Sequence, residues 1–89
     1  MNILKCASAG TMESSDAYVE IEPGNGKVEV RLESVVEKQF GEKIRAAICD
    51  VLEEQGVTDA SVHVIDRGAL ECVLRARVET AVLRGKGEA

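Results

Sequence analysis

Apolar and polar residues alternate strictly along two stretches in the first third of the chain. The apolar members of these stretches are Val19, Ile21, Val28, Val30 and Leu32. Alternation with a period of two is typical of strands that bury one face, and the Pro-Gly-Asn-Gly run at residues 23–26 is typical of a turn. We therefore predict a β-hairpin over residues 17–33, in a register that places Ile21 opposite Val28 and Glu20 opposite Glu29.

A period of three to four residues replaces the alternation after the predicted hairpin. The apolar residues at this spacing are Val36, Phe40, Ile44, Ala47, Ile48, Val51 and Leu52. This stripe predicts an amphipathic helix. A capping box at residues 34–37, in which Ser34 and Glu37 satisfy each other's backbone N–H groups, should start it. Gly56 should end it in a left-handed conformation, and Gly41 within it should allow close packing against a neighbouring element.

The rest of the chain predicts a further strand and a second helix. Residues 60–65 alternate, with Val62 and Val64 on one face, and a break at residues 66–68 precedes a helix over about residues 69–84. The apolar residues of that helix are Leu70, Val73, Leu74, Val78, Ala81 and Val82.

Together these elements predict an α+β fold class, a small β-sheet built on a hairpin with two helices packed on one face. Residues 3–12 could add an edge strand. A length of 89 residues favours a single domain over residues 1–89, with a tail that frays from about residue 85.

Charge and composition exclude several classes of partner. The chain carries a net charge of -5, with 2% aromatic residues, so it lacks the basic surface and the stacking platforms of a nucleic-acid-binding protein. It has no apolar run long enough for a secretory signal or a membrane span. We therefore expect a cytoplasmic chain that binds neither nucleic acid nor membranes and is attracted to basic protein surfaces.

The cysteines and the single histidine do not suggest a catalytic or metal centre. Cys6, Cys49 and Cys72 are odd in number and lack the spacing of a zinc site or a disulfide framework. We expect Cys49 and Cys72 to be packing residues on the flanks of the helical stripes, and Cys6 to be exposed. His63 has no sequence-adjacent nucleophile or orienting acid. The chain is therefore not expected to be an enzyme on its own.

Arg77 places a charge in the middle of the apolar arc of the second helix. In one interpretation its methylene stem packs while the guanidinium reaches solvent, or it pairs with a carboxylate such as one on the hairpin. In the other, Arg77 faces a partner subunit or a phosphate. The sequence leaves both open.

Small polar residues at 9–16 precede the first confident strand and predict an accessible loop. Ser14 and Ser15 have no neighbouring base, so they cannot act as nucleophiles by their own means. They could be substrates for modification. An ordinary turn, in which Ser14, Ser15 and Asp16 bond to the backbone, is the interpretation that the residues alone favour.

Three blocks of the sequence resemble the acyl carrier protein, or gamma subunit, of bacterial citrate lyase. The blocks are Gly-Thr-Met-Glu-Ser-Ser-Asp at residues 10–16, Val-Glu-Lys-Gln-Phe-Gly at 36–41 and Gly-Ala-Leu-Glu-Cys-Val-Leu-Arg-Ala-Arg at 68–77. They occur in the family's order with similar spacing. The resemblance extends from about residue 7 to residue 84.

This resemblance implies a non-catalytic carrier with a covalently attached prosthetic group, 2'-(5''-phosphoribosyl)-3'-dephospho-coenzyme A. The family's attachment serine directly follows the glutamate of the first block, which here makes it Ser14, with Ser15 as the fallback. The implied partners are the alpha subunit, which exchanges acetyl for citryl on the arm, the beta subunit, which splits citryl to oxaloacetate, and the maturation transferase that attaches the group. No catalytic or metal-binding residue is implied in the chain itself.

Two rival functions remain open at this point. The acyl carrier subunit of malonate decarboxylase resembles the chain in having a serine before a strand and the same kind of arm, although the block at residues 68–77 favours citrate lyase. A small interaction module that binds a partner through the second helix, without a cofactor, is the other. A conventional phosphopantetheine carrier fits poorly, because the chain lacks the four-helix pattern and the Asp-Ser-Leu motif.

Overall fold

A computed structural model of the chain describes residues 2–35 and 37–87. Within these residues the elements are β1 (Ala7–Gly10), β2 (Ala17–Glu22), β3 (Val28–Ser34), α1 (Glu37–Glu54), β4 (Ala60–Asp66) and α2 (Glu71–Gly85). The strands form one mixed sheet in the order β1-β2-β4-β3. α2 packs against β1, β2 and α1, and α1 also contacts β3. The predicted α+β fold is confirmed, and β1 is the edge strand anticipated near the amino end.

The predicted hairpin is wrong, because β4 lies between β2 and β3. β2 pairs with β4 in antiparallel fashion, and β3 pairs with β4 in parallel fashion. The charged face makes a small contribution to this preference. The hairpin register would set Glu20 against Glu29, whereas the observed register sets Glu20 against His63 and Glu29 against Ser61, which removes a like-charge pair.

The connection between β2 and β3 passes over the start of β4 rather than closing a tight turn. A Cβ on Gly24 would lie 2.6 Å from Asp59 Oδ1 and 2.8 Å from the Ala60 nitrogen. The Gly26 N–H donates to Asp59 Oδ1 at 2.9 Å, and the Ala60 N–H donates to the Lys27 carbonyl at 3.1 Å. The glycines that suggested a hairpin turn instead let the chain cross a neighbouring strand closely.

α1 ends as the sequence predicts. Gly56 has φ +70°; its N–H donates to the Glu53 carbonyl at 3.0 Å and the Val57 N–H to the Leu52 carbonyl at 2.9 Å, which is the Schellman arrangement. Gly41 is buried. The capping-box contacts predicted for residues 34–37 lie outside the described residues.

The core fills the space between the sheet and the helices. Its largest fully buried apolar side chains are Val19, Val62 and Val64 from the sheet and Ile48, Leu52, Val78 and Val82 from the helices. The other face of the sheet carries partly or fully exposed polar residues such as Glu20, Arg31 and His63. The alternation seen in the sequence therefore reports the buried face correctly, although the strand order differs from the prediction.

The carboxyl end of α2 packs against the amino-terminal segment. The Leu4 and Lys5 N–H groups both donate to the Gly85 carbonyl, at 2.9 and 3.2 Å. Lys86 is 9% exposed, and its Nζ donates to the Gln55 carbonyl. The single-domain organisation and the frayed tail remain predictions, but Gly85 and Lys86 are packed in this structure.

Candidate functional site

Residues 11–16 connect β1 to β2 and are called here the serine loop. Ser14 and Ser15 are both exposed. Backbone hydrogen bonds tie the loop to the segment after β4, since the Ser15 N–H donates to the Arg67 carbonyl at 2.8 Å and the Arg67 N–H to the Asp16 carbonyl at 2.9 Å. The serine loop therefore occupies a defined place at the end of the sheet where β4 ends.

The tip of the serine loop is a tight turn. The Asp16 N–H donates to the Glu13 carbonyl at 3.2 Å, so Ser14 and Ser15 are the two central residues. Ser15 has φ +66°, the left-handed value that a type II turn requires at its second central position and that L side chains rarely adopt. In the part of the chain that the structure describes, the Ser14 hydroxyl has no hydrogen-bond partner.

The Asp16 side chain closes the loop from inside. Its Oδ1 accepts the Ala17 N–H at 2.7 Å, and its Oδ2 accepts the Thr11 hydroxyl at 2.6 Å. The Thr11 Oγ1 in turn accepts the Glu13 N–H at 3.2 Å. Of the backbone bonds expected of Ser14, Ser15 and Asp16, the one from the Asp16 side chain is present, whereas among the described residues the two serine hydroxyls make none. The serine loop is held by its own last residue.

Arg77 of α2 completes the anchor on Asp16. Its Nε donates to Asp16 Oδ1 at 2.9 Å and its Nη2 to Asp16 Oδ2 at 3.0 Å, a two-pronged geometry. The Asp16 side chain is only 14% exposed. Arg77, and after it Thr11 and the Ala17 N–H, holds the pKa of the Asp16 carboxyl well below its usual range. Of the two interpretations of Arg77, pairing with a carboxylate is the one observed, and the partner belongs to the serine loop.

Gly10 is required where β1 leads into the serine loop. It has φ +92°, and a Cβ there would lie 1.9 Å from the Ala17 carbonyl oxygen and 3.1 Å from Arg77 Cδ. A side chain at this position would push apart the strand end and the arginine that anchors the loop. This contact explains the glycine that opens the first sequence block.

Asp66 is a buried carboxylate that sequence reasoning missed. It is 2% exposed; its Oδ2 accepts the Ser34 hydroxyl at 2.8 Å, and its Oδ1 accepts the Ala69 N–H at 3.0 Å. It thus joins the end of β3 to the entry of α2, next to the Arg67 backbone that holds the serine loop. The sequence offered only an aspartate in a predicted break, which is typical of any turn.

The other candidate side chains, those of His63 and the cysteines, are not part of the Asp16–Arg77 pair. His63 is half-buried on the sheet face away from the helices, where its Nε2 lies 3.2 Å from Glu33 Oε2. Cys6 is exposed, as predicted. Cys49 and Cys72 are also exposed, so the prediction that they are packing residues is wrong; the flanks of both helical stripes face solvent at these positions.

The described residues contain no group of three or more His, Cys, Asp or Glu side chains arranged to hold a metal ion. Within the same residues, no helix has the length and apolar character needed to cross a membrane.

Comparison with known sequences finds relatives along nearly the whole chain. A family model described as malonate decarboxylase delta subunit (MdcD), an acyl carrier model, matches residues 5–85. The citrate lyase acyl carrier protein of Pectobacterium atrosepticum is 50% identical over 84 residues, covering 94% of this chain and 88% of its own. That of Vibrio cholerae serotype O1 is 52% identical over 85 residues, covering 94% and 87%.

Comparison with solved structures agrees on the fold. A chain in the crystal structure of a Pseudomonas malonate decarboxylase hetero-tetramer in complex with malonate matches with a TM-score of 0.77 at 24% identity, covering 88% of this chain and 80% of that chain. At this identity the match concerns the fold alone. With the family model and the close relatives, it leads to one conclusion: the chain belongs to the family of citrate lyase acyl carrier proteins.

Proposed function

We propose that this chain is the acyl carrier subunit of citrate lyase, and that Ser14 carries 2'-(5''-phosphoribosyl)-3'-dephospho-coenzyme A through a phosphodiester bond. The observation that carries the proposal is the exposed Ser14 hydroxyl at the tip of an anchored loop. It occurs in a chain about 50% identical to citrate lyase acyl carrier proteins over almost all of its length.

The turn supports Ser14 over the fallback Ser15. The backbone of Ser15 is committed to the turn, because its N–H donates to Arg67 and its φ is positive. Ser14 carries neither constraint, and it directly follows Glu13, as the family's attachment serine follows a glutamate. Ser15 therefore shapes the turn while Ser14 offers the hydroxyl.

The residues around Ser14 fit an anionic attachment. A phosphodiester next to an unpaired carboxylate would be repelled, but the Asp16 carboxylate of the same turn is paired with the Arg77 guanidinium. Glu13 is exposed, so solvent and salt screen its charge. The chemistry of the site is compatible with the group.

The proposed task of this chain is to position the arm and present it to larger partners. When bound, the group supplies a terminal thiol that holds acetyl and citryl as thioesters. The alpha and beta subunits are the proposed partners, and a covalent tether gives them an effective arm concentration in the millimolar range. Asp16 and Arg77 keep the attachment point in one place. In the cleavage of citrate itself, no bond change is assigned to the carrier's own side chains.

Reconstitution with purified alpha and beta subunits tests this function. The chain, loaded by the maturation enzymes and acetylated, should restore cleavage of citrate to oxaloacetate. Ser14→Ala should abolish cleavage while still assembling with the subunits, and Ser15→Ala is the matched control that should retain it. Full activity of Ser14→Ala would support the cofactor-free interaction module instead.

The acyl carrier subunit of malonate decarboxylase is the second candidate function. The description of the matching family model favours it, whereas the relatives near 50% identity favour citrate lyase. Pairing the loaded chain with each set of catalytic subunits separates the two. Turnover of malonate without turnover of citrate would overturn the citrate lyase assignment.

A further inference from the structure

We propose that an apolar collar beside the serine loop, formed by Met12, Val35, Phe40 and Leu70, is the surface on which the transferase that modifies Ser14 docks. The proposal rests on the proposed function, since it assumes that Ser14 receives the prosthetic group. It adds the kind of contact by which the modifying enzyme recognises this chain.

Exposed large apolar side chains concentrate at the serine end of the molecule. Within residues 2–35 and 37–87 they are Leu4 at 69%, Met12 at 49%, Val35 at 64%, Phe40 at 46% and Leu70 at 71% exposure. All except Leu4 belong to the collar. Scattered exposed apolar residues need no explanation, whereas a cluster of them marks an interaction surface.

Hydrogen bonds and a shared cleft place the collar around one point. The Val35 N–H donates to the Asp66 carbonyl at 3.2 Å, and the residue before Leu70 donates its N–H to the Asp66 carboxylate at 3.0 Å. Phe40 and Asp66 line the same cleft between α1 and α2. Met12 lies in the serine loop, which is bonded to Arg67, the neighbour of Asp66.

The cleft beside Phe40 suits an apolar side chain of a partner better than the acyl cargo. It has a volume of about 210 Å³ and is lined by Phe40, Ile44, Ala47, Ala69 and Leu74, with Lys43, Asp66 and Glu71. Two carboxylates against a single ammonium would disfavour an anionic acid such as citryl. An aromatic or aliphatic anchor from another protein fits this lining.

Charged residues of both signs accompany the collar. Lys43 and Glu71 line the cleft, and Glu13 and Arg67 are exposed in and next to the serine loop. We expect docking here to depend mainly on burial of apolar surface.

Proximity to the reacting atom identifies the transferase as the occupant. The catalytic subunits meet a thiol at the far end of the arm, whereas the transferase must bring its own active site to the Ser14 hydroxyl. The surface next to Ser14 is thus the part of the chain that the transferase cannot avoid covering. A second copy of this chain would cover the same surface and close off the serine.

The transfer itself needs chemistry that this chain lacks. The Ser14 Oγ forms a bond to the phosphorus of an activated phosphoribosyl donor, the bond from that phosphorus to a phosphate or polyphosphate leaving group breaks, and the hydroxyl proton passes to a base. Among the described residues no side chain hydrogen-bonds to that hydroxyl, so the transferase supplies the base. Contact with the collar places the hydroxyl in its active site.

The test measures the rate at which the purified unmodified chain gains mass in the presence of the transferase and its donor. Leu70→Ser and Phe40→Ser should each lower kcat/KM by about fivefold or more, chiefly through a higher KM, because they remove exposed anchors without removing core contacts. Leu4→Ser is the matched control, since it removes an equally exposed leucine at the opposite end of α2, and its rate should stay within about twofold of wild type. Circular dichroism verifies that each variant is folded.

The outcomes separate this inference from the proposed function. Modification of Leu70→Ser and Phe40→Ser at the wild-type rate would overturn the collar and leave Ser14 as the attachment site. Normal modification with lost binding to the alpha and beta subunits would also overturn it, since the collar would then belong to those subunits. If the wild-type chain gains no mass at Ser14, the proposed function is contradicted, and the collar proposal, which depends on it, falls with it.

Discussion

The Asp16 carboxylate accepts both prongs of the Arg77 guanidinium, with Nε to Oδ1 at 2.9 Å and Nη2 to Oδ2 at 3.0 Å. This pair joins a loop residue to the middle of a helix 61 positions further along the chain. A surface loop of six residues would ordinarily sample many conformations. The Asp16–Arg77 pair restricts the serine loop and thereby gives the exposed Ser14 a defined location.

Replacing Arg77 by lysine should loosen the serine loop without unfolding the chain. Lysine keeps the charge but cannot form the two-pronged contact with Asp16. The Ser15 amide, which donates to Arg67, should then exchange with solvent roughly tenfold faster, as measured by hydrogen exchange at neutral pH.

Arg75→Lys is the control for that experiment. Arg75 lies on the same helix and contacts Asp50, Glu54 and Glu71 instead of the loop. Its replacement should leave exchange at Ser15 unchanged. Equal acceleration by both variants would show that the effect comes from general loosening of α2.

The contribution of Asp16 to stability should disappear only in acid. Its pKa in the folded chain is held well below the usual range by Arg77, whereas in the unfolded chain it titrates near 3.9. At pH values between the folded-state and unfolded-state pKa, folding therefore releases a proton from Asp16. In this pH range the stability of the fold rises with pH. The full contribution is present above about pH 4 to 5 and is lost as the pH falls towards the folded-state pKa.

Urea titrations of the wild-type chain and of Asp16→Asn measure this contribution. The difference in the free energy of unfolding between the two should be constant from about pH 7 to pH 5 and should shrink on further acidification. A difference that grows as the pH falls would contradict the ion pair.

Gly10→Ala should damage the fold more than the same change at a glycine with free space. Positive φ alone costs roughly 1–3 kcal/mol for a residue with a side chain, and Gly26 at φ +97° has no atom within 4 Å of where a Cβ would stand. Gly10 adds the collision with the Ala17 carbonyl. The free energy of unfolding should therefore fall further for Gly10→Ala than for Gly26→Ala. Equal losses of unfolding free energy in the two variants would show that the contact with the Ala17 carbonyl adds no cost.

Ser15→Gly should stabilise the chain, because glycine adopts the left-handed conformation without steric cost. The gain should be about 1 kcal/mol at most, since glycine also has more freedom in the unfolded chain. Ser14→Gly is the control and should be neutral or destabilising, as Ser14 has no positive φ. Thermal unfolding compares the two variants. Stabilisation by Ser14→Gly alone would contradict the assignment of Ser15 to the left-handed position of the turn.

Periodicity predicted β2, β3, β4 and both helices but neither β1, which was only a possible edge strand, nor the order of the strands. It reports which face of an element is buried, and Val19, Val62 and Val64 are indeed buried. Strand order depends on contacts between residues far apart in sequence, and the glycine-rich connection suited a hairpin equally well. The like-charge pair of Glu20 and Glu29 was the one local signal against that hairpin.

The sequence predicted where the candidate site lies in the chain but not the contacts that hold it. An accessible loop with Ser14 and Ser15 followed from local composition. The position of Arg77 within an apolar arc was recognised as unusual, but whether it reached solvent, a carboxylate, a partner subunit or a phosphate was left open. The pairing of Arg77 with Asp16 required the fold, because no local pattern links residues so distant in sequence. The buried position of Asp66 likewise emerges only when the end of β3, the end of β4 and the start of α2 meet.

Peptide mass mapping of the chain after co-expression with its maturation enzymes is the most direct test of the central claim. We predict that the added mass of the prosthetic group falls on Ser14, that Ser15→Ala retains it and that Ser14→Ala loses it while remaining folded. Added mass that persists in Ser14→Ala, or a wild-type chain that stays unmodified under the same conditions, would contradict it.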